Sequence, residues 1–398
     1  MTSMPDLVCL TTSGALGGAE TSLLTLLRAF RRLEPAWRIT VIAPASGPLL
    51  DACAAAGIGG RVLPFPAAIS RLGESGATGR LSLTAGSVRA LVGLPGYVRA
   101  VRGAIADAGA RVIHSNGLKM HVAAALARPA GVRLVWHLHD YVRARPFSAA
   151  LLRHLVGRTG AVVATSDSVL DDARAAFGGR GRLRRIHNAV DPEVFRPDGG
   201  ALDLAALSGM PSAGGLVRVG LVATFGRWKG HDVFIDALAR LQRRDAVRAY
   251  VVGGPVYETV GSQWTTDELR RRAEARGLAD VLGFTGAVAD VPAALRGLDV
   301  VVHASTQPEP FGMAIAEGMA AGRCVVAVRD GGAKELFADG VTAVGVPPRD
   351  AVALAAALDE VIDRPALRAE LGARAREAAL ERFAPPRMAA EFREAYLG

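Results

Sequence analysis

Short apolar runs alternate with longer helical patterns along most of the 398-residue chain. The runs are rich in β-branched residues and do not alternate apolar with polar positions, which is typical of parallel strands buried on both faces. They predict strands at Leu7–Leu10, Ile39–Ala43, Val112–His114, Leu134–His137 and Ala161–Ala164, then at Val217–Val222, Ala249–Val252, Val281–Phe284, Val300–His303, Cys324–Val328 and Ala343–Val346.

Helical patterns separate these strands, for example at Glu20–Arg32, Asp232–Gln242, Asp267–Glu274 and Phe311–Ala321. The rhythm predicts a doubly wound α/β architecture. It breaks in turn-rich sequence between residues 191 and 215, and a new strand follows. We therefore predict two Rossmann-like domains, residues 1–192 and 193–384. A last helix, within residues 385–398, would cross back to the first half or cap the second.

Composition and charge narrow the function classes only slightly. The net charge of +9 suits a phosphorylated ligand or an anionic membrane surface, but also a solvated arginine-rich surface. Zinc-ligand spacing and an aromatic-basic RNA motif are absent from the sequence, so nucleic acid is not an expected partner. Cys9, Cys53 and Cys324 lie far apart and are expected to be buried thiols of a protein in a reducing compartment.

The chain start shows no signal-peptide pattern, and no apolar run is long enough to span a membrane. We expect a cytoplasmic protein, with peripheral contact at the inner membrane face left open. Residues Pro64–Pro95 look irregular and carry Arg71, Arg80 and Arg89. This segment is either a mobile loop on the acceptor side or a poorly structured insertion.

A glycine loop, residues 14–20 (Gly-Ala-Leu-Gly-Gly-Ala-Glu), follows the first strand and opens a helix. Glycines let a backbone approach a ligand, and a helix N-terminus offers N–H groups to phosphate. A tight turn without a ligand is equally compatible. The loop lacks the GxGxxG pattern, and the second strand ends at Ala43 and Pro44 without an acidic residue. Both observations count against an NAD enzyme.

His139 follows the strand that contains Trp136 and His137. Ligands of open parallel sheets bind beyond the carboxyl ends of the strands, so His139 is a candidate substrate contact. A purely structural histidine is the main alternative. A metal held by His137 and His139 is disfavoured because no third ligand is evident.

The segment from Thr224 to His231 combines glycines with Arg227 and Lys229 after the first strand of the second half. Fixed positive charge and backbone donors are what a diphosphate requires, although a solvated basic turn would look similar.

The most specific pattern extends from Glu309 through Pro310, Phe311 and Gly312 to Glu317. Pro310 suits the first turn of a helix, because its missing N–H costs nothing there. Glu309 precedes this helix and Glu317 lies about two turns inside it. The two carboxylates would therefore reach separate polar groups of one extended ligand.

Taken in order, these motifs resemble the family 4 retaining glycosyltransferases of the GT-B fold, over nearly the whole chain. The matching positions are Gly17–Glu20, His139 and Asp140, Ser166, His187–Asp191 with Phe195, Lys229 and Gly230, Gly286, Glu309–Glu317, Gly331 and Gly332, and Asp339 and Gly340. The resemblance implies two domains facing a central cleft, with the last helix packed on the first domain.

The resemblance also implies the roles of the site residues. Glu309 would contact hydroxyls of the transferred sugar, Glu317 the ribose, and Lys229 the diphosphate, assisted by N–H groups near Phe311 and Gly312. Gly286 would also belong to the donor site. Gly18 would approach donor phosphate or acceptor, and His139 would lie near the reacting centre. The family usually has an arginine where this chain has Thr224, so Arg227 is a candidate substitute, and Lys334 stands where proline is common.

The activity implied is a hexosyl transfer from a nucleoside diphosphate sugar, with UDP expected, to the hydroxyl of an unidentified acceptor. No metal and no cofactor are expected beyond this co-substrate. A nucleotide-sugar 2-epimerase of the same fold is the alternative, and a monomer and a homodimer both remain open.

Overall fold

The computed structural model describes residues 6–66, 82–255 and 261–398. The chain forms two compact units: unit 1 comprises Met1–Ala189 with Pro385–Gly398, and unit 2 comprises Val190–Ala384. Each unit holds one parallel sheet between helices, so the predicted α/β class with two domains is confirmed.

Unit 1 is built on a seven-stranded sheet. Its strands are β1 Asp6–Thr11, β2 Arg38–Ala43, β3 Gly59–Val62, β4 Val112–Asn116, β5 Arg133–Leu138, β6 Ala161–Ala164 and β7 Leu183–Arg185. They are ordered β3-β2-β1-β4-β5-β6-β7, and all neighbours are parallel. The sequence pattern misses β3 and β7 because these edge strands, Gly-Gly-Arg-Val and Leu-Arg-Arg, bury little apolar surface.

Helices cover both faces of this sheet. They are α1 Gly18–Leu33, α2 Pro48–Ala55, α3 Ser82–Asp107, α4 Leu118–Ala127, α5 Pro146–Leu155 and α6 Asp167–Phe177. Along β1, Leu7 and Cys9 join one hydrophobic cluster while Val8 and Leu10 join another. A strand buried on both faces must be apolar at every position, which explains why the run does not alternate.

The prediction that Pro64–Pro95 lacks regular structure is wrong for residues 82–95. Residues 82–95 belong to α3, and Pro95 lies inside this helix. Proline removes one hydrogen bond from a helix, but packing can override that cost. Here Tyr97, Val101 and Ile105 are buried in the unit 1 core and hold the helix in place. Arg71 and Arg80 lie outside the described residues.

Unit 2 is built on a six-stranded parallel sheet. Its strands, numbered in chain order, lie side by side in the order β10-β9-β8-β11-β12-β13. The strands are β8 Val217–Val222, β9 Val247–Val252, β10 Leu282–Gly286, β11 Val300–His303, β12 Cys324–Val328 and β13 Val344–Val346. The helices are α7 Leu204–Ser208, α8 His231–Leu238, α9 Thr266–Ala275, α10 Val291–Arg296, α11 Met313–Ala320, α12 Ala351–Asp363 and α13 Pro365–Arg382.

The C-terminal helix, α14 Pro385–Leu397, belongs to unit 1 and packs against α1. Tyr396 contacts Phe30 edge-on, with ring centroids 5.3 Å apart, and also lies near Trp37. Arg393 forms an ion pair with Glu34 at the end of α1. The chain therefore crosses from unit 2 back to unit 1 at the proline pair that the sequence marks as a break.

The three cysteines are free and buried, as predicted. Burial raises the pKa of the thiols of Cys9, Cys53 and Cys324, which keeps them protonated. Among the described helices, none combines the length and the apolar character needed to cross a membrane.

Candidate functional site

Glu309 lies in a polar pocket beyond the carboxyl end of β11. Its Oε1 accepts hydrogen bonds from Lys229 Nζ at 2.5 Å and from Ser305 Oγ at 2.7 Å. His303 Nε2 lies 3.6 Å from the same oxygen and 3.2 Å from Ser305 Oγ. His303, Ser305 and Glu309 are all buried. The structure thus brings together Glu309 and Lys229, which lie 80 positions apart in the chain.

Backbone geometry fixes Lys229 at this place. Lys229 ends a short 3-10 turn, and Gly230 follows with φ of +75°. A Cβ at Gly230 would lie 1.8 Å from the carbonyl oxygen of Ala304, so only glycine fits there. Thr306 N also donates to Trp228 O at 2.7 Å. The turn that carries Lys229 is therefore hydrogen-bonded to the segment that follows β11.

Neighbouring groups stabilise the ionised form of Glu309. Burial acts to raise its pKa, but the ammonium of Lys229 and the imidazole of His303 together hold it well below the usual range. Glu309 is consequently an ionised acceptor throughout the neutral range. Its backbone is fixed too, because Gly332 N donates to Glu309 O at 2.7 Å.

Glu317 projects from α11 into a different environment. It is half-buried, and loss of solvent raises its pKa to about 7. Among the described residues its carboxyl group makes no side-chain hydrogen bond. A carboxyl group that is partly protonated near neutrality can both donate to and accept from a ligand hydroxyl.

The start of α11 corrects one detail of the sequence prediction. The helix begins at Met313, not at Phe311, and Pro310 is not in its first turn. Gly312 has φ of +100°, which a helix interior does not allow, and it acts as the N-cap. Phe311 is buried and packs edge-on against Phe383, with centroids 5.8 Å apart. The first turn of α11 still follows the Glu309 pocket directly.

Arg227 is engaged elsewhere in unit 2. Its guanidinium lies over the ring of Trp264 at 3.9 Å and donates to Glu268 Oε1 at 3.1 Å and to Gly261 O at 3.0 Å. These contacts tie Arg227 to Trp264 and α9, so Lys229 is the cation that the structure places against Glu309. Thr224 Oγ1 is buried without a hydrogen-bond partner in the described part of the chain.

Gly286 ends β10, and its φ is +72°. A Cβ there would meet nothing within 4 Å, so the position opens onto free space. Its carbonyl accepts a hydrogen bond from Gly253 N at 3.0 Å. Gly286 therefore lies at the carboxyl edge of the sheet, where ligands of such sheets bind.

In unit 1, the predicted glycine loop caps α1. Gly17 is the N-cap, and Gly18 is exposed with open space around it. Glu20 is buried and accepts a hydrogen bond from Thr11 Oγ1 at 3.1 Å, which joins the end of β1 to the start of α1. Gly18 is thus free to be approached by a ligand, while Glu20 stabilises the turn.

His139 adjoins a cluster of buried histidines. Its ring lies 4.0 Å from that of His137, which in turn lies 5.3 Å from His114. Burial lowers the pKa of His139 to about 3, so its imidazole is neutral at pH 7. Its Nε2 is buried and has no hydrogen-bond partner in the described regions.

The cluster continues into the core of unit 1. His114 Nδ1 hydrogen-bonds to the hydroxyl of Tyr396 at 2.8 Å, and His121 Nδ1 to Ser115 Oγ at 2.7 Å. Within the described part of unit 1, neither ring nitrogen of His137 has a hydrogen-bond partner. Among the described residues, no group of three or more His, Cys, Asp or Glu side chains is arranged to hold a metal ion.

The sequence prediction missed His303 and Ser305. Both lie on the short path from β11 to Glu309, and the signal was present as a histidine ending a strand with a serine two positions later. The sequence pattern by itself predicts only that His303 ends a strand and that Ser305 belongs to a polar turn. Only the observed fold shows that they share the Glu309 carboxylate with Lys229.

Comparison with known proteins identifies the family. The family model described as glycosyl transferases group 1 matches residues 213–378, and that of glycosyltransferase family 4 matches residues 16–194. The chain belongs to the family 4, group 1 glycosyltransferases, and it has the GT-B type of fold. It is a glycosyltransferase of the hexosyl-transferring class.

The curated relatives are identical to this chain at about a third of the aligned positions. The chain is 30% identical over 275 residues to a GDP-mannose-dependent alpha-(1-6)-phosphatidylinositol monomannoside mannosyltransferase of Mycolicibacterium smegmatis, covering 65% of this chain and 68% of that protein. It is 32% identical over 272 residues to a D-inositol 3-phosphate glycosyltransferase of Nocardiopsis dassonvillei. That alignment covers 63% of this chain and 62% of the relative, less than two thirds of its length.

Solved structures match over the full chain. Anabaena HepE in complex with UDP is 25% identical with a TM-score of 0.79, and the alignment covers 98% of each chain. The same protein in complex with UDP-glucose is 27% identical, again with a TM-score of 0.79 and 98% coverage of each chain.

Proposed function

We propose that this protein transfers a sugar from a UDP-sugar to an acceptor hydroxyl with retention of the anomeric configuration and without a metal ion. The observation that carries the proposal is the part-buried ion pair between Lys229, in the turn after β8, and Glu309, which lies between β11 and the first turn of α11. A cation, an ionised carboxylate and a helix N-terminus are what a diphosphate and an adjacent sugar need.

In the observed ion pair, each charge neutralises the other. On donor binding, Lys229 would turn its ammonium to the diphosphate, and Glu309 would accept hydrogen bonds from sugar hydroxyls. The N–H groups around Phe311 and Gly312 would assist at the phosphates, and Glu317 would hold the ribose. Gly286 would border the donor. Because the backbone that carries Lys229 and Glu309 is fixed in place, these groups would stabilise negative charge that develops on the leaving diphosphate.

Retention follows in this proposal from a reaction on a single face of the sugar. The bond between the anomeric carbon and the diphosphate oxygen breaks as the acceptor oxygen approaches from the same side. A non-bridging diphosphate oxygen takes the acceptor proton. No protein nucleophile is needed, so Glu309 acts by binding and not by attack.

On unit 1, His139 and Gly18 are proposed for the acceptor and the reacting centre. The neutral imidazole of His139 can exchange hydrogen bonds with a sugar hydroxyl without adding positive charge. Gly18 leaves the start of α1 open to approach.

UDP is proposed as the nucleotide because one protein that matches along the full chain, Anabaena HepE, has been solved in complex with UDP and with UDP-glucose. A relative that matches over a shorter part is named for GDP-mannose, so GDP is the competing choice. Thermal unfolding with UDP-, GDP-, ADP- and dTDP-sugars distinguishes them, because stabilisation grows with the logarithm of ligand concentration over Kd. Stabilisation by a GDP-sugar alone would overturn the UDP proposal.

Product analysis with the stabilising donor tests the reaction itself. Release of nucleoside diphosphate with transfer or slow hydrolysis, undiminished by a chelator, supports the proposal. Conversion of the donor to its 2-epimer without release would replace it with the epimerase alternative. An inverted anomeric configuration in the product, read by proton NMR, would refute retention.

Lys229→Ala is expected to weaken binding of the nucleoside diphosphate by about tenfold to hundredfold, because a charge-assisted contact with phosphate is lost. Isothermal titration calorimetry with UDP measures the change. Arg243→Ala is the control, since it removes an exposed cation and the same net charge from the same unit, at the amino end of β9 and away from the Glu309 pocket. Equal affinities of the two variants would remove Lys229 from the phosphate site.

A further inference from the structure

A polar cavity of about 630 Å³ lies at the amino edge of the unit 2 sheet. Its walls include Arg218 at the start of β8 and Asp299 just before β11. The Glu309 pocket lies beyond the other end of β11, and a strand of four residues spans about 13 Å. The cavity is therefore separate from the proposed donor site. Sites for small molecules typically have volumes of about 300–1,000 Å³, so the cavity is large enough for one.

Tyr250, in β9, opens a hydroxyl group into this cavity. The residue is 1% exposed and still forms part of the cavity wall. Burial raises the pKa of Tyr250, and the charges of Arg248, Asp203 and Arg218 act on it as well, so the hydroxyl lies among these groups. It makes no hydrogen bond to any described residue. A polar group in such a place takes its hydrogen bond from a molecule that occupies the cavity.

Two arginines line the cavity, and only one of them has an acidic partner. Arg218 forms a bidentate pair with Asp299, with nitrogen–oxygen distances of 3.0 and 2.8 Å. Among the described residues, Arg368 donates only to the carbonyl oxygens of Val361 and Ile362, in both cases from Nη1. The charge of Arg368 and its other nitrogens are therefore available for a ligand.

Three further arginines near the cavity add positive charge. Arg248 lies beside Arg218 in the paired strands, and it donates to a main-chain carbonyl. Burial lowers the pKa of Arg323, and the nearby charges of Arg218 and Arg296 also lower it. Arg296 and Arg323 likewise donate to main-chain carbonyls, and in the described part of unit 2 none of the three has an acidic partner. Asp203, the other carboxylate of the described cavity wall, cannot balance this excess.

The glycine-rich turn before β8 supplies main-chain donors to the same cavity. Residues 212–216 (Ser-Ala-Gly-Gly-Leu) all line it. The N–H groups of Gly214 and Gly215 donate to no carbonyl of the described chain. Without side chains, these two residues let a ligand approach the backbone closely. The turn that reads in the sequence as a linker thus forms one wall of a polar cavity.

We propose that this cavity binds a phosphomonoester between Arg368, the hydroxyl of Tyr250 and the N–H groups of Gly214 and Gly215. A phosphate dianion accepts hydrogen bonds from guanidinium, hydroxyl and main-chain N–H groups, and its charge balances the excess of arginine. A single carboxylate has fewer oxygens and half the charge, so it would satisfy fewer of these donors.

Isothermal titration calorimetry of the full chain with inorganic phosphate and with glycerol 3-phosphate tests the proposal. The nucleotide that stabilises the protein is present at saturating concentration, so the donor site is occupied. One phosphate or phosphate ester should bind per chain, and salt should weaken the binding because the contacts are ionic. Acetate should bind much more weakly.

Two variants and a matched control locate the binding. Tyr250→Phe should weaken binding of glycerol 3-phosphate by about tenfold, because a hydrogen bond to a charged acceptor is lost. Its melting temperature should not change, since the hydroxyl bonds to no described residue. Arg368→Gln should weaken binding by about tenfold or more. Arg374→Gln removes a cation of the same helix that pairs with Glu370 at 2.7 Å, and it should bind like the unmodified protein.

Lys229→Ala should leave this binding unchanged, so the result is independent of the proposed sugar transfer. Binding that disappears when the nucleotide is saturating would assign the phosphate to the donor site and overturn the proposal. Unchanged affinity in both Tyr250→Phe and Arg368→Gln would place the phosphate elsewhere on the chain. Acetate binding as tight as that of the phosphate ester would contradict the choice of ligand, and the absence of binding at millimolar phosphate would exclude the site.

Discussion

Glu309→Gln is expected to lower kcat/KM for sugar transfer by about hundredfold or more, with the fold intact. Hydrogen bonds to a charged acceptor contribute about 1.5–3 kcal/mol each, and a factor of ten corresponds to about 1.4 kcal/mol. The amide keeps the shape of the carboxylate but loses its charge and half of its acceptor capacity. Transfer from the stabilising nucleotide sugar, measured as released nucleoside diphosphate, provides the rate.

The same variant should keep its affinity for UDP. Lys229 loses its anionic partner at 2.5 Å and keeps only a weaker bond to an amide oxygen, so UDP should bind as well as before or more tightly. Lys229→Ala should do the reverse and weaken UDP binding. This split between rate and affinity distinguishes a sugar contact at Glu309 from a general disturbance of the pocket.

Glu370→Gln is a suitable control for Glu309→Gln. Glu370 is half-exposed and pairs with Arg374 at 2.7 Å on α13, so its loss should change neither rate nor affinity. Wild-type kcat/KM in Glu309→Gln would show that this carboxylate does not take part in transfer.

Mild acid is expected to destabilise unit 1 far more than unit 2. His114, His121 and His137 are fully buried in unit 1. Burial, followed by the positive charge of neighbouring histidines, lowers the pKa of His114 to about 3 and those of His121 and His137 well below 6.5. The native state therefore favours the neutral imidazoles, while the unfolded chain takes up protons at its ordinary pKa.

The direction and size follow from proton linkage. Histidines with a lowered native pKa stabilise the fold above pH 6.5, and that contribution is lost as the pH falls from 6.5 toward about 3. Each histidine costs about 1.4 kcal/mol per pH unit, so these three together with His139, whose pKa burial also lowers to about 3, cost roughly 6 kcal/mol per unit. That is a large part of the 5–15 kcal/mol that typically stabilises a domain. Glu20 offsets part of it, since burial raises its pKa and its protonation favours the native state.

Hydrogen exchange of peptides from β4 and β5 at pH 7 and 5.5 measures the loss of unfolding free energy, after correction for intrinsic exchange rates. In unit 2, burial lowers the pKa of His231 to about 4, but burial also raises the pKa of Glu317 to about 7, and its protonation favours the native state, so the two effects oppose each other and peptides from β8 and β11 should respond little. Equal responses in both units would contradict the prediction.

His137→Phe isolates one member of the cluster. Neither nitrogen of His137 has a hydrogen-bond partner in the described structure, so the substitution removes no hydrogen bond there. It should reduce the acid sensitivity of unit 1 by about 1.4 kcal/mol per pH unit. Replacing the exposed His154 by glutamine should leave the acid sensitivity unchanged. An unaltered sensitivity in His137→Phe would exclude that residue from the effect.

The sequence by itself determined the α/β class, the two sheets and most of their strands. The reason is that strands of a parallel sheet are buried on both faces, as Leu7, Val8, Cys9 and Leu10 show, so each reads as a continuous apolar run. Motif order was enough to identify the family. It also led to Glu309, Lys229 and Glu317 as candidate residues.

The tertiary structure alone decided which of these residues meet. Lys229 reaches Glu309 because Gly230 packs against the carbonyl of Ala304, and no local pattern encodes a contact across 80 positions. The tertiary structure also places the Arg227 guanidinium on the ring of Trp264. It starts α11 at Met313, after Gly312, and it continues α3 through Pro95. Each of these outcomes depends on packing between distant segments, which overrides local preference when buried contacts outweigh it.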